Sequence, residues 1–357
     1  MPKRSTAAIL TTVLLATSGC LRWSSTHVSV EGACVPEIEI LAESESRWTG
    51  VTAAPDGRVF VNYPRWSNEV PVSVAVLTDD GPVPYPDARW QSWSPGKDPK
   101  THFVCVQSVV ATDDGTLWIL DPANPGFEGV VDGGPKLVKF DLSTNRRVGT
   151  MFFDDQFIEP DSYLNDIRVD PERGWAYITD SGSPGLVVVN LSNGNWGRVL
   201  GDHRSTRAEE TTVVVEGVDF TFPVHADGLA LDPSGDWLFY QALTGRTLYR
   251  VPTAALRDAI ENRTDPAPLV ERVAAVGPSD GLISDRHGAI YLSSLEQNAV
   301  RRLTRSGTIK TVVQGPLISW PDTFSIDHEG RLLVTTAQIH LGEEPDEPYR
   351  LLRITIP

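Results

Sequence analysis

The sequence lacks the short motifs that announce familiar chemistry. It has no His-Glu-x-x-His pair for a zinc ion, no Gly-x-Ser-x-Gly elbow for a nucleophilic serine, no phosphate-cradling glycine loop and no Cys-x-x-Cys. Their absence removes the motif-based case for a zinc protease, an α/β-hydrolase, a P-loop or dinucleotide-binding fold and a dithiol site. The run Asp132-Gly133-Gly134 reads as a loop. Cysteine is scarce, with three in 357 residues. Positive charge is also short: 31 Lys and Arg stand against 47 Asp and Glu, a formal charge of −16. Such a surface repels nucleic-acid phosphates and anionic lipid, so neither is an expected partner, and it favours neutral or cationic small molecules.

The first twenty residues stand apart. Lys3 and Arg4 precede the apolar stretch Ala7–Ala16, too short to span a bilayer as a mature helix, and Thr17, Ser18 and Gly19 lead to Cys20. This order resembles a bacterial lipoprotein signal with Cys20 as the lipidated first residue, although the usual leucine three positions earlier is Thr17. An ordinary signal peptide cut after Gly19 would export the chain without the anchor. The expectation is therefore a leader over residues 1–19, a tether over 20–35 and a folded body over 36–357. The product is a cell-envelope lipoprotein that meets the membrane only through Cys20, or otherwise a secreted or periplasmic protein. Losing the leader leaves 29 basic residues against 47 acidic ones, a charge of −18. Export permits a disulfide between Cys34 and Cys105, whereas the repeat pattern places these thiols toward opposite faces.

Proline and glycine, 27 and 29 residues, fall at turn positions between short apolar runs, which suits many strands better than long helices. One unit recurs six times: an apolar strand, a tight polar turn holding glycine, and a second apolar strand. The turn glycines are Gly57, Gly115, Gly174, Gly235, Gly288 and Gly330, spaced by 42 to 61 residues. Third strands follow at Leu137–Leu142, Gly185–Leu191, Thr247–Val251 and Ala299–Thr304, and fourth strands at Arg147–Phe153 and Thr308–Val313. Four antiparallel strands per unit, repeated about an axis, make an all-β, six-bladed β-propeller. Arg350–Ile356 reads as the third strand of blade six, and Glu37–Leu41 as the strand that closes the ring and removes its open edge. The closed body is expected to work as a monomer on a small molecule.

If the turn glycines share one face, the opposite face collects the inner-strand starts: Trp48 and Thr49, Gln107, Asn165 and Asp166, Asp227, Asp280, and Asp322. Carboxylates converging on an axis raise one another's pKa or bind a cation, while an aspartate at a strand entrance is also ordinary turn chemistry. Arg65 and Trp66, Gln338 and His340 lie on loops of that face. Tyr163, His225 and Trp320 precede inner strands, so the expected ligand site is an open mouth lined by aromatics. His225, two residues from Asp227, is the candidate acid or base, with Asp227 as its partner.

These residues carry a resemblance. The segments G-R-V-F-V-N-Y-P-R-W-S-N-E-V-P-V-S-V-A (57–75), V-Q-S-V-V (106–110), G-P-K-L-V-K-F-D-L (134–142) and D-S-Y-L-N-D-I-R-V-D (161–170) resemble the major royal jelly and yellow protein family. So do A-Y-I-T-D-S-G (176–182), H-A-D-G-L-A-L (225–231), L-Y-R-V-P-T (248–253) and W-P-D-T-F (320–324). The resemblance implies a six-bladed propeller. It also implies a range of activities, from dopachrome conversion through secreted nutritional proteins to the binding of biogenic amines in the central cavity. Bacterial relatives are described as related to dopachrome tautomerase. The site it suggests holds an aromatic amine or catechol without a cofactor, stacking the ring and pairing the ammonium with a carboxylate. The Asp-Gly-Leu strand entrances also resemble the gluconolactonase-like propellers. That likeness implies a metal-dependent lactonase with Ca2+ on Asn165, Asp227, Asp280 and Asp322, although the first entrance, Trp48-Thr49-Gly50, lacks the glutamate usual there.

Overall fold

The computed structural model describes residues 36–67, 70, 72–209, 212–342 and 345–356. Cys20 and Cys34, and with them the lipidation and disulfide expectations, lie outside these residues. The described chain is almost entirely antiparallel sheet, in six four-stranded blades. Blade one is Val51–Ala53, Val59–Asn62, Val74–Thr78 and Gly81–Pro84. Blade two is Ser108–Thr112, Thr116–Asp121, Lys136–Asp141 and Arg146–Phe152, and blade three is Leu164–Asp170, Trp175–Asp180, Gly185–Asn190 and Trp196–Val199. Blade four is Ala226–Leu231, Trp237–Ala242, Thr247–Pro252 and Glu271–Ala275. Blade five is Leu282–Ser284, Ile290–Ser294, Ala299–Leu303 and Ile309–Gln314. Blade six is Pro321–Ile326, Leu332–Thr336 and Tyr349–Ile354, completed by the N-terminal strand Ile38–Ser44.

The middle strands of a blade are covered on both faces by neighbouring blades, which is why they are written as unbroken runs of apolar and β-branched residues. Trp175–Asp180 and Gly185–Asn190 are buried at every position. Between blades three and four, Tyr177, Val188, Leu229, Tyr240 and Val251 make one such layer. All six turn glycines adopt positive φ, from 70° to 89°, the backbone region that a Cβ penalises.

The ring closes as the sequence predicts. Ile38 pairs with Ile354, Ile40 with Leu352 and Ser44 with Tyr349. Glu39–Arg353 and Glu43–Arg350 ion pairs, at 3.0 and 3.1 Å, flank the seam. Two elements have no counterpart in the repeat. A helix, Thr253–Asn262, follows the third strand of blade four, and a small hairpin, Val213–Val215 and Val218–Phe220, is inserted between blades three and four.

Candidate functional site

The inner strands crowd so closely at their starts that glycine becomes obligatory there. A Cβ on Gly228 would lie 1.9 Å from the Asp280 carbonyl oxygen, and one on Gly281 would lie 1.8 Å from that of Asp322. The Asp-Gly pairs are therefore half structural: the glycine admits the next blade's backbone, and the aspartate beside it is carried to the axis. Side chains at the ends of the second strands stitch the same level together. Asn62 donates to the Val106 and Gln107 carbonyls at 3.1 Å. Thr179 donates to the Asp227 carbonyl at 2.5 Å, and Thr335 to that of Thr49.

On this scaffold the predicted residues form one hydrogen-bonded chain across the axis. Trp66 Nε1 donates to Tyr163 OH at 2.6 Å, and Tyr163 OH donates to Gln107 Oε1 at 2.8 Å. Gln107 Nε2 donates to Asn165 Oδ1 at 3.1 Å, and Asn165 Nδ2 donates to Asp227 Oδ2 at 2.8 Å. The Asp227 and Asp280 carboxyls hydrogen-bond one another, and Trp320 Nε1 donates to Asp280 Oδ2 at 2.8 Å. Asp322 stands beside them with Thr323 Oγ1 at 3.0 Å. Asp166 lies 4.0 Å from the Arg168 guanidinium.

Burial dominates the electrostatics. It drives Asp227 and Asp322 well above the carboxylate range, and repulsion from the other ring carboxyls adds to it. Asp280 is pushed up to about 7 by burial, held back by the Trp320 indole. Asp166 is raised by burial against the pull of Arg168. Asp227, Asp280 and Asp322 form no ion pair with any described basic residue. Burial and mutual repulsion thus favour the neutral form of these carboxyls. Asp227 and Asp280, bonded to each other, titrate as a pair.

The expected open mouth is not what the structure shows. Asp227, Asp322 and Trp320 are 2%, 4% and 0% exposed. The inserted hairpin lies across blades five and six on this face. Its buried Val213 and Val215 pack with Leu295, Trp320 and Ala337, and Phe220 meets Trp320 edge-on at 5.0 Å. Glu216 at its tip reaches His340 Nε2 at 3.2 Å and the Asn298 amide, and His340 stacks on Trp320 at 5.6 Å. Trp320 has φ of 50°, a left-handed conformation rare for a bulky residue, held here by packing on every side. Across the ring, Phe127 lies 5.5 Å from Trp66 and 4.8 Å from Tyr163, and it is 60% exposed.

Three predicted residues are placed elsewhere. His225 accepts the Ala208 amide on Nδ1 at 3.0 Å. The charges acting on it are Asp180, Arg207, Asp161 and Asp202 rather than Asp227, and burial lowers its pKa. Strand pairing breaks register between Ala226 and Leu229, so the two-residue spacing does not bring His225 to Asp227. Arg65 donates to the Val104 carbonyl at 3.0 Å and covers Trp93. Gln338 holds the Glu347 and Pro348 carbonyls at 3.1 and 3.0 Å. Sequence reasoning missed Phe127 and Glu216; Ser181, on the loop after the second strand of blade three that the sequence places on this face, takes an Asn165 N–H on its hydroxyl at 2.8 Å. The hairpin had a readable signal, Glu216-Gly217 between Val213–Val215 and Val218–Phe220, with φ of 53° and 82° at the turn.

A calcium cage is a poor fit to this arrangement. Among the described residues no three His, Cys, Asp or Glu side chains converge to hold a metal ion. Asn165 turns its N–H donors, not its oxygen, toward Asp227 and Ser181.

Fold and site together define the class: a closed six-bladed propeller with a buried ring of carboxyls at the loop-side end of its axis. The chain belongs to the major royal jelly protein family, whose sequence profile matches residues 104–347. Major royal jelly protein 1 of Apis mellifera is 25% identical over 240 residues, 58% of this chain and 50% of that one. Protein yellow of Drosophila guanche is 24% identical over 273 residues, 68% of this chain and 46% of that one. The chain thus spans about half the length of these curated relatives. Among solved structures, a gluconolactonase from Xanthomonas campestris aligns with a TM-score of 0.58 at 13% identity, covering 94% of this chain and 99% of that one. A luciferin-regenerating enzyme aligns at 0.55 with 11% identity, covering 90% and 95%. At these identities the likeness is one of fold.

Proposed function

We propose that this protein binds a small cationic aromatic molecule, an aromatic amine or a catecholamine-like compound, at the loop-side end of the propeller axis. The observation that carries the reading is the ring itself, where Asp227, Asp280 and Asp322 are buried, biased toward their neutral forms and without an ion-pair partner among the described residues. An ammonium group replaces those protons and relieves the repulsion between carboxylates. Trp66, Phe127 and Tyr163 on one side and Trp320 on the other offer aromatic faces to the ring of the ligand. Entry requires the hairpin carrying Glu216 to lift from Trp320.

Any proton chemistry on a bound dopachrome-like compound falls to the Asp227–Asp280 pair, in which one carboxyl can give a proton while the other accepts one. His225 is too differently placed to join it. A thermal-shift screen with aromatic amines, catechols and lactones, each with calcium and with chelator, tests the reading. Amines and catecholamines are expected to raise the melting temperature regardless of calcium. A response to lactones that needs calcium would replace it with the lactonase reading.

Export follows from the leader-like N-terminus. No described helix is long and apolar enough to cross a membrane; the lipoprotein-like leader motivates an anchor at Cys20. Palmitate labelling of the wild-type protein in a bacterial host is expected, with complete loss in Cys20→Ser. An unlabelled wild-type protein in the soluble fraction would leave export by an ordinary signal peptide.

A further inference from the structure

The other end of the axis, on the face of the hairpin turns, opens into a cavity of about 760 Å³ walled by all six inner strands. That volume is within the range of small-molecule sites. Arg168 lines it. Its side chain leaves blade three and reaches past blade four to the Leu282 carbonyl of blade five at 2.5 Å, and it also donates to the Ile167 carbonyl at 2.7 Å. These bonds use two of the five N–H donors of a guanidinium. The nearest carboxylate, Asp166, is 4.0 Å away, beyond hydrogen-bond reach, and burial biases that carboxyl toward its neutral form. Arg168 is thus a largely buried cation, its side chain 13% exposed, with its charge incompletely matched.

Two hydroxyls line the same cavity. Thr52 Oγ1 accepts the Ala111 amide at 2.9 Å, and Ser325 Oγ accepts the Ala53 amide at 3.0 Å. Both keep their own O–H proton for another acceptor. Several acids near the rim are already engaged. Asp170 is bound by Arg173 at 3.0 Å, Asp114 by the Thr112 and Thr116 hydroxyls at 2.6 and 2.8 Å, and Asp232 by the Trp237 amide at 2.8 Å. Asp113 and Glu172 remain at the exposed edge with Arg286.

We propose that this cavity is a second ligand site, for a small molecule carrying a carboxylate or phosphate, with the anionic group on Arg168 and the Thr52 and Ser325 hydroxyls as further donors. It takes the opposite charge from the aspartate ring and stands independently of that reading. Calorimetry on the full chain at constant ionic strength, with succinate in one arm and inorganic phosphate in the other, tests it. Wild-type protein is expected to bind at least one, and the two arms tell which chemistry the site prefers. Arg168→Met is expected to weaken that binding by about tenfold or more, and Ser325→Ala by about threefold. If Arg168→Met does not fold, Ser325→Ala and Thr52→Val decide the matter by the same measurement. Failure of both anions to bind wild-type protein overturns the proposal, as does binding that survives the folded variants unchanged.

Discussion

Deleting residues 36–45 is expected to lower the melting temperature by about 10 °C or more, at roughly 2–4 °C per kcal/mol for a domain of this size or somewhat smaller. The strand Ile38–Ser44 supplies the fourth member of blade six. Its Ile38 and Ile40 pack against Tyr291, Leu332, Leu352 and Ile354, and Leu41 joins Trp48 and Leu351. Removing three such side chains forfeits roughly 1.5–3 kcal/mol for each fully buried one, less for those partly covered. The deletion also bares the whole Tyr349–Ile354 edge, with its unpaired amides and carbonyls. Circular dichroism melts of the two proteins check this, and aggregation on heating should accompany the loss. Superimposable curves would mean that the ring holds together without its seam.

Asp280→Asn is expected to stabilise the ligand-free protein at neutral pH and to do so less as the solution is acidified. Burial raises the folded-state pKa to about 7, so the group contributes most to stability below its unfolded value near 4, and that contribution is lost as pH rises through about 7. At pH 8 the ionised carboxylate costs the folded state roughly a few kcal/mol. At present Asp227 donates to the Asp280 carboxylate; an amide in its place removes the charge, and its oxygen still accepts from the Trp320 indole. The variant should therefore melt several degrees above wild type at pH 8, and the gap should shrink toward pH 5. A gap of constant size across that range would show that Asp280 is not the titrating group. The same variant should bind cationic aromatics about tenfold or more weakly, the scale of one lost charge-assisted contact. Stabilisation with loss of binding is what a ring kept for function, at the expense of the fold, should show.

The fold was legible because each blade repeats local rules that need no tertiary information. Gly57 through Gly330 mark turns that require positive φ, and the apolar runs on either side fix which strands are inner and which lie between blades. The closing strand was legible from the same pattern, since blade six ends at its third strand. The identity of the ring residues was legible too, because inner strands enter the axis at equivalent points. What they do to one another was not. His225 and Asp227 look paired in sequence, but the break in pairing after Ala226 separates them. The mouth looked open because the hairpin over it is an insertion, placed by contacts of Val213, Val215 and Phe220 with distant Leu295 and Trp320. The helix Thr253–Asn262 was hidden for a related reason. It packs Ile260 close to Gly197 of blade three, a contact that no repeat of the blade anticipates.

In the proposed site the buried aspartate ring exchanges its protons for a cationic ligand. Titration calorimetry with an indole ethylamine, run at pH 6 and at pH 8 on wild-type protein and on Asp227→Asn, tests it most directly. Binding must expel protons wherever the carboxyls are neutral, and the amine itself stays charged across this range. Wild-type affinity should therefore rise with pH, by about tenfold or less per unit for each carboxyl that must lose its proton, Asp280 doing so near 7. Proton release, seen as a heat that depends on the buffer, should accompany binding at pH 6. Asp227→Asn should bind about tenfold or more weakly and release fewer protons. An affinity that is the same at both pH values and in both proteins would contradict the account, and would leave the carboxyl ring as the means by which six strands meet at an axis.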